Sequence, residues 1–162
     1  SSQLEGIVVA IKANFLIVEI NSNQYKRIPQ NIINNFQSVR LLCTKRRRLE
    51  FKGISVYVGD IVTVEEIDWN QDKGVVCDVL PRNSFIERPA VANLSHVLIT
   101  ISLKEPLFDC SQVSRFLLKA EQTRKHVVVL LTKRDLVSDL VINEYSLKLN
   151  SWGTTPICFL NK

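Results

Sequence analysis

The 162-residue sequence contains no methionine, only five glycines and five prolines, and 7% aromatic residues. Without methionine there is no initiator, so Ser1 does not read as a natural start, and a chain trimmed at both ends is expected. So little glycine and proline excludes a collagen-like fibre, and 46% hydrophobic residues exclude a disordered tail. No apolar run approaches the ~20 residues that a membrane-spanning helix needs. The opening Ser1-Ser2-Gln3-Leu4-Glu5 shows no basic region leading into an apolar one, so no remaining secretory signal is expected. No CxxC joins the four cysteines, and neither His96 nor His126 lies at ligand spacing from one, which argues against a local zinc site. Cys43, Cys77 and Cys158 sit in apolar stretches and read as small buried hydrophobes in a reducing compartment. Two absences bear on chemistry: no GxxxxGK[ST] phosphate loop and no DxxG occur anywhere.

What is present divides in two near residue 88. From Leu4 to Leu80 short β-branched runs alternate with polar turns. Residues 7–11 and 15–20 face each other across Lys12-Ala13-Asn14, and 39–43, 61–67 and 75–80 follow. Five such strands suit a small antiparallel barrel of the OB type, and an SH3-like barrel fits the same pattern. Residues 1–88 are assigned to this barrel and 89–162 to a second domain. There Val97–Ile101 is an apolar run that suits a strand buried on both faces. A helix with Val113, Phe116, Leu117 and Ala120 on one face follows, with Asp109 or Ser111 as its cap. Val127–Leu131 is a second strand, and a helix begun by Ser138 carries Val141, Tyr145, Leu149 and Trp152 and closes at Gly153. Ile157–Leu160 is a third strand. This is a mixed fold: a barrel, then the first βαβαβ half of a doubly wound α/β sheet.

Lys and Arg outnumber Asp and Glu by 21 to 16. All of that excess lies between Arg40 and Lys52, where Arg40, Lys45, Arg46, Arg47, Arg48 and Lys52 face only Glu50. Clustered cations on a barrel loop displace counterions from a nucleic-acid backbone, and these six are the candidate nucleic-acid contacts. With only Phe51 and Tyr57 nearby to stack, backbone contact is expected over base-by-base readout. A solvated charged loop is the plainer alternative.

Thr132-Lys133-Arg134-Asp135 follows the second buried strand and precedes a helix, at the carboxyl edge where α/β sheets bind ligands. A TKxD resembles the guanine-recognition motif of GTPases, usually NKxD. A carboxylate at Asp135 can accept from guanine N1–H and the exocyclic amine. Adenine offers neither donor there and leaves the charge unpaired. Lys133 would lay its methylene stem along the base with its charge near solvent or the ribose. Thr132 offers a short hydroxyl in place of an amide. A polar helix start with Asp135 near the dipole remains the alternative.

Taken in order, several pieces resemble one family along most of the chain. They are Gly6-Ile7-Val8-Val9, Cys43-Thr44-Lys45-Arg46-Arg47-Arg48-Leu49, Val58-Gly59-Asp60-Ile61-Val62, Val79-Leu80-Pro81-Arg82-Asn83-Ser84 with Arg88-Pro89, Ala92-Asn93, Ser114-Arg115-Phe116-Leu117, Ala120-Glu121 and Leu131–Leu136. The chain resembles the N-terminal part of the ribosome-small-subunit-dependent, circularly permuted GTPases of ribosome assembly, in the style of the cyanobacterial and plastid branch. The resemblance implies an OB barrel followed by a GTPase domain that begins at its base-recognition half. It implies GTP as nucleotide, with Mg2+ and Zn2+ for a full-length protein only. It also implies late maturation of the small ribosomal subunit, with that subunit and its rRNA as partners, no membrane, a monomer, and a bacterial cytoplasm or chloroplast stroma. Guanine contact falls to Thr132, Lys133 and Asp135. No catalytic or metal residue is assigned, and these residues alone are expected to be inactive. A non-catalytic RNA-binding module with a degenerate α/β half is the competing function.

Overall fold

The computed structural model describes residues 3–33, 38–106 and 108–158. It divides into two compact units, Ser1–Asn93 and Leu94–Lys162.

The first unit is a closed barrel. Its strands are β1 (Leu4–Lys12), β2 (Phe15–Ile20), β3 (Arg40–Lys45), β4 (Ile61–Asp68) and β5 (Lys73–Val79), joined in the order β1-β2-β3-β5-β4 and back to β1. The period-2 alternation sends Leu4, Val8, Leu16, Val18, Ile20, Leu41, Cys43, Val62, Val64 and Val76 inward. The expectation of an antiparallel barrel is corrected at one seam, where β3 and β5 run parallel, with Cys43 beside Gly74 and Lys45 beside Val76. Parity requires such a seam, because five strands closed in a ring cannot all oppose both neighbours.

Between β3 and β4 the basic stretch is not wholly a loop. Residues Arg47–Phe51 form a short helix, α1, whose Leu49 is buried in the barrel core. A hairpin, β6 (Phe85–Glu87) with β7 (Ala90–Ala92), belongs to this unit, so the division falls after Asn93 rather than at the expected Arg88. The Ala92 N–H donates to the Val58 carbonyl at 2.9 Å and the Asn93 Nδ2 to the Gly59 carbonyl at 2.9 Å.

The second unit is a parallel sheet of β8 (His96–Ser102), β9 (His126–Thr132) and β10 (Ile157–Cys158), with β9 central. Helices α2 (Cys110–Gln122) and α3 (Asp139–Ser151) lie between successive strands. Ile99, Ile101, Val129 and Leu131 pack with Val113, Leu117 and Ala120 of α2 and Ile142 and Leu149 of α3. The expectation that Val97–Ile101 is buried on both faces does not hold, since Leu98 is 59% exposed and Thr100 is exposed. Phe116 likewise stays half exposed beside its buried neighbours Val113 and Leu117. Asp109 caps α2, accepting from the Ser111 and Gln112 N–H groups at 2.8 and 3.3 Å. Ser138 stands at the start of α3 without a side-chain capping bond, and Gly153 ends it at φ +83°. Phe159 and Leu160 of the expected third strand lie outside the described residues. Among the described residues no helix is long and apolar enough to cross a membrane.

Candidate functional site

The carboxyl edge of the parallel sheet gathers two loops. One follows β8, the other follows β9, and the register pairs Ser102 with Thr132 at the point where both leave the sheet. Thr132, half-buried, turns its hydroxyl back to the Ile101 carbonyl at a long 3.4 Å. Lys133 takes a left-handed backbone conformation, φ +60°, at the bend between β9 and the single 3-10 turn Arg134–Leu136. Few L-residues adopt that region without a compensating contact. Here the compensation is visible: the Lys133 Nζ donates to the carbonyls of Lys104 and Glu105 at 3.1 and 2.5 Å. The Ser102 hydroxyl donates to the same Lys104 carbonyl at 2.5 Å. The ammonium is therefore held on the loop after β8, and its methylene stem reaches from one loop to the other. Asp135 is exposed, and its carboxylate has no hydrogen-bond or ion-pair partner among the described residues. The arrangement offers one free, doubly accepting carboxylate beside a fixed alkyl chain, which suits a planar base with two adjacent N–H donors.

The basic stretch has a different local chemistry from its sequence. Glu50 is not its only counter-charge. Arg40, at the start of β3, bonds Glu19 of β2 at 2.8 Å, and the guanidinium holds the Glu19 carboxyl below the usual carboxylate range. Lys45 lies 3.8 Å from Glu50. Arg46, at the N-terminal cap of α1, pairs with both Glu65 and Glu66 of β4, and the Glu66 hydrogen bond is the main cause of its raised pKa. Arg48 reaches the Cys77 carbonyl with Nε and Nη2 at 3.3 and 3.0 Å. Only Arg47 and Lys52 of the six have no ion-pair or hydrogen-bond partner given among the described residues, and both are exposed.

A third constellation was not singled out by charge or motif chemistry. Asp60 is fully buried at 0% exposure, with one charged partner among the described residues, Arg82. Its carboxylate accepts from Arg82 Nε and Nη2 at 2.7 and 2.9 Å and from the Tyr57 N–H at 2.8 Å. The Arg82 guanidinium lies 4.8 Å from the Tyr57 ring centre and 5.2 Å from that of Phe85. Arg82 is held above the ordinary arginine range, chiefly by the Asp60 bond. This cluster ties the Gly59-Asp60 turn to the Pro81-Arg82-Asn83 connector. The signal was a Gly-Asp and a Pro-Arg-Asn far apart in sequence, with nothing to say that they meet.

A family model described as RsgA GTPase matches residues 79–162. A small ribosomal subunit biogenesis GTPase RsgA from Prochlorococcus marinus is 48% identical over 156 residues, covering 96% of this chain and 50% of the relative. A protein of the same name from a Synechococcus species is 44% identical over 158 residues, covering 98% of this chain and 49% of the relative. The chain thus spans about half the length of the curated relatives it matches. Two solved structures share its fold. YjeQ from Thermotoga maritima superposes with a TM-score of 0.77 at 24% identity, covering 98% of this chain and 52% of that one. YloQ, described as a circularly permuted GTPase, gives 0.74 at 20% identity, covering 99% of this chain and 52% of that one.

Proposed function

Since this chain belongs to the RsgA GTPase family, we propose that it supplies the RNA-contacting barrel and the guanine-reading half of a GTP-hydrolysing factor for small-subunit maturation. The observation that carries the guanine assignment is the unpartnered Asp135 carboxylate beside a Lys133 pinned by two carbonyls, at the carboxyl edge of a parallel sheet. In this reading Asp135 accepts N1–H and the exocyclic N–H of guanine, and the Lys133 stem forms a floor under the ring. Fixing the Lys133 ammonium on the loop after β8 settles part of the ordering entropy before the base arrives. Thr132, whose hydroxyl faces its own sheet, steadies the bend and leaves base recognition to Asp135.

The residues fit GTP at its base end. No GxxxxGK[ST] occurs within the 162 residues, so the phosphate end and the hydrolytic step are assigned to none of them. Mg2+ and Zn2+ have no group of three His, Cys, Asp or Glu donors among the described residues, and neither is assigned a ligand here. The partner proposed is the small ribosomal subunit through its rRNA, contacted by a monomeric protein in a bacterial cytoplasm or chloroplast stroma. The cyanobacterial relatives, named as small ribosomal subunit biogenesis GTPases, support the small-subunit part of this reading.

Asp135→Asn in a full-length protein carrying these residues tests the guanine assignment. Competition binding is expected to show weakened GTP and partial acceptance of xanthosine triphosphate, whose 2-oxo group suits an amide donor. An unchanged nucleotide preference would leave Asp135 as a turn residue only. The 162-residue chain alone is expected to show no GTP turnover, and turnover that tracks the purified chain would overturn the assignment of hydrolysis elsewhere.

A further inference from the structure

Phe51 is 88% exposed, more than any other large hydrophobic side chain in the described residues. The folding work of α1 is done by its neighbour Leu49, 2% exposed and part of the barrel core. Phe51 adds nothing to that core, and its ring stands in water at a cost that burial would remove. Its surroundings are also specific. Arg47 lies four residues earlier in α1, on the same side of the helix, and Lys52 follows directly. Among the described residues these two are the basic residues of Arg40–Lys52 without an ion-pair or hydrogen-bond partner, while Arg40, Lys45, Arg46 and Arg48 are engaged by Glu19, Glu50, Glu65, Glu66 and the Cys77 carbonyl.

Resting on the RNA-contacting reading above, we infer that Phe51, Arg47 and Lys52 form a stacking site for one unpaired ribonucleotide. The ring stacks on the base, and the two cations take the phosphates on either side. An aromatic face with adjacent cations is the chemistry that single-stranded nucleic acid selects, because every base has a π-face and every linkage a charge. A duplex offers no open base face to a protruding ring, so the site distinguishes an unpaired nucleotide from a paired one. Backbone contact by six cations, as the bare sequence suggests, becomes a stacking contact with two.

The test uses the 162-residue chain and a fluorescein-labelled ten-nucleotide RNA, single-stranded or annealed to its complement. Phe51→Ala is expected to weaken single-strand binding about tenfold and leave duplex binding within twofold. Phe51→Trp is expected to restore affinity and to show fluorescence quenching by RNA beyond that of the chain carrying only Trp69 and Trp152. Arg47→Ala with Lys52→Ala is expected to reduce the slope of log affinity against log salt by about 1.4, two contacts at about 0.7 each. An affinity unchanged by Phe51→Ala, with RNA still bound, would overturn the stacking site and leave the RNA reading standing. Absence of RNA binding by the unsubstituted chain would overturn both. Loss of small-subunit binding by Phe51→Ala with oligonucleotide binding intact would assign the ring to a protein partner and overturn the inference.

Discussion

Cys43 lies on β3 with its side chain in the barrel core, next to Gly74 across the parallel seam. A thiolate there would have no solvent, and burial pushes the Cys43 pKa from 9.0 up to about 12. Burial also raises Cys77, with Glu65 adding to the effect. In the unfolded chain the Cys43 thiol releases its proton near pH 9, whereas in the barrel it holds it to about pH 12. The neutral thiol's contribution is therefore complete below pH 9 and is lost as the pH rises from 9 towards 12. Three units correspond to about 4 kcal/mol. Denaturant titrations at pH 8, 9, 10 and 11 should show stability falling more steeply in the native chain than in Cys43→Ala. Parallel pH dependences in the two would exclude this account. The slope is the readout, since the substitution also leaves a cavity that lowers stability at every pH.

At the scale of elements, the turn before β4 holds a short hairpin against a barrel. Gly59 has φ +92°, and a Cβ built on it would stand 2.0 Å from the Ala92 carbonyl oxygen. Its N–H donates to the Val8 carbonyl and its own carbonyl accepts from the Asn93 side-chain amide, so backbone from β1 and the turn meets the side chain of the residue after β7 there. Gly59→Ala must either move the β6–β7 hairpin away or strain the turn. We expect a loss of at least about 2 kcal/mol in urea unfolding; a loss under about half a kcal/mol would mean that the hairpin yields freely. The hairpin itself was not legible from the sequence. Its strands are three residues each, too short for a period, and what anchors them is the distant Val58-Gly59. By contrast the barrel strands, the α2 cap (down to Asp109 or Ser111) and the strand-bend-helix setting of Lys133 were all legible, because each depends on residues a few positions apart. The neutralisation of Arg46 by Glu65 and Glu66 was not, since β4 lies on another part of the chain and the pairing is made only when the barrel closes. Parity alone could have shown that a closed five-stranded ring needs a parallel seam, but not that β3 and β5 would form it.

For the whole molecule, the question is which residues form an independent folding unit. The barrel core runs from Leu4 to Val76, and its packing is complete within the first compact unit. The unit nevertheless extends to Asn93. Asn93 Oδ1 accepts from the Asn83 N–H and Nδ2 donates to the Gly59 carbonyl, both at 2.9 Å. Phe85 brings its ring to 4.9 Å from Tyr57, on the Arg82 guanidinium that neutralises buried Asp60. A chain ended after Ser84 keeps every barrel strand and Arg82, but loses the Phe85 ring and four hydrogen bonds, those of Ala92 and Asn93 to Val58, Gly59, Asn83 and Ser84. At about 1 kcal/mol net for each such bond, the deficit is about 4 kcal/mol. For a domain of this size that corresponds to a fall of roughly 15–30 °C in Tm. Residues 1–93 expressed alone are thus expected to melt in one cooperative transition, followed by circular dichroism, and residues 1–84 to melt well below them. Equal midpoints would show that the hairpin is an ornament on the barrel, and a non-cooperative melt of 1–93 would show that the barrel needs residues beyond Asn93 to hold its closed form.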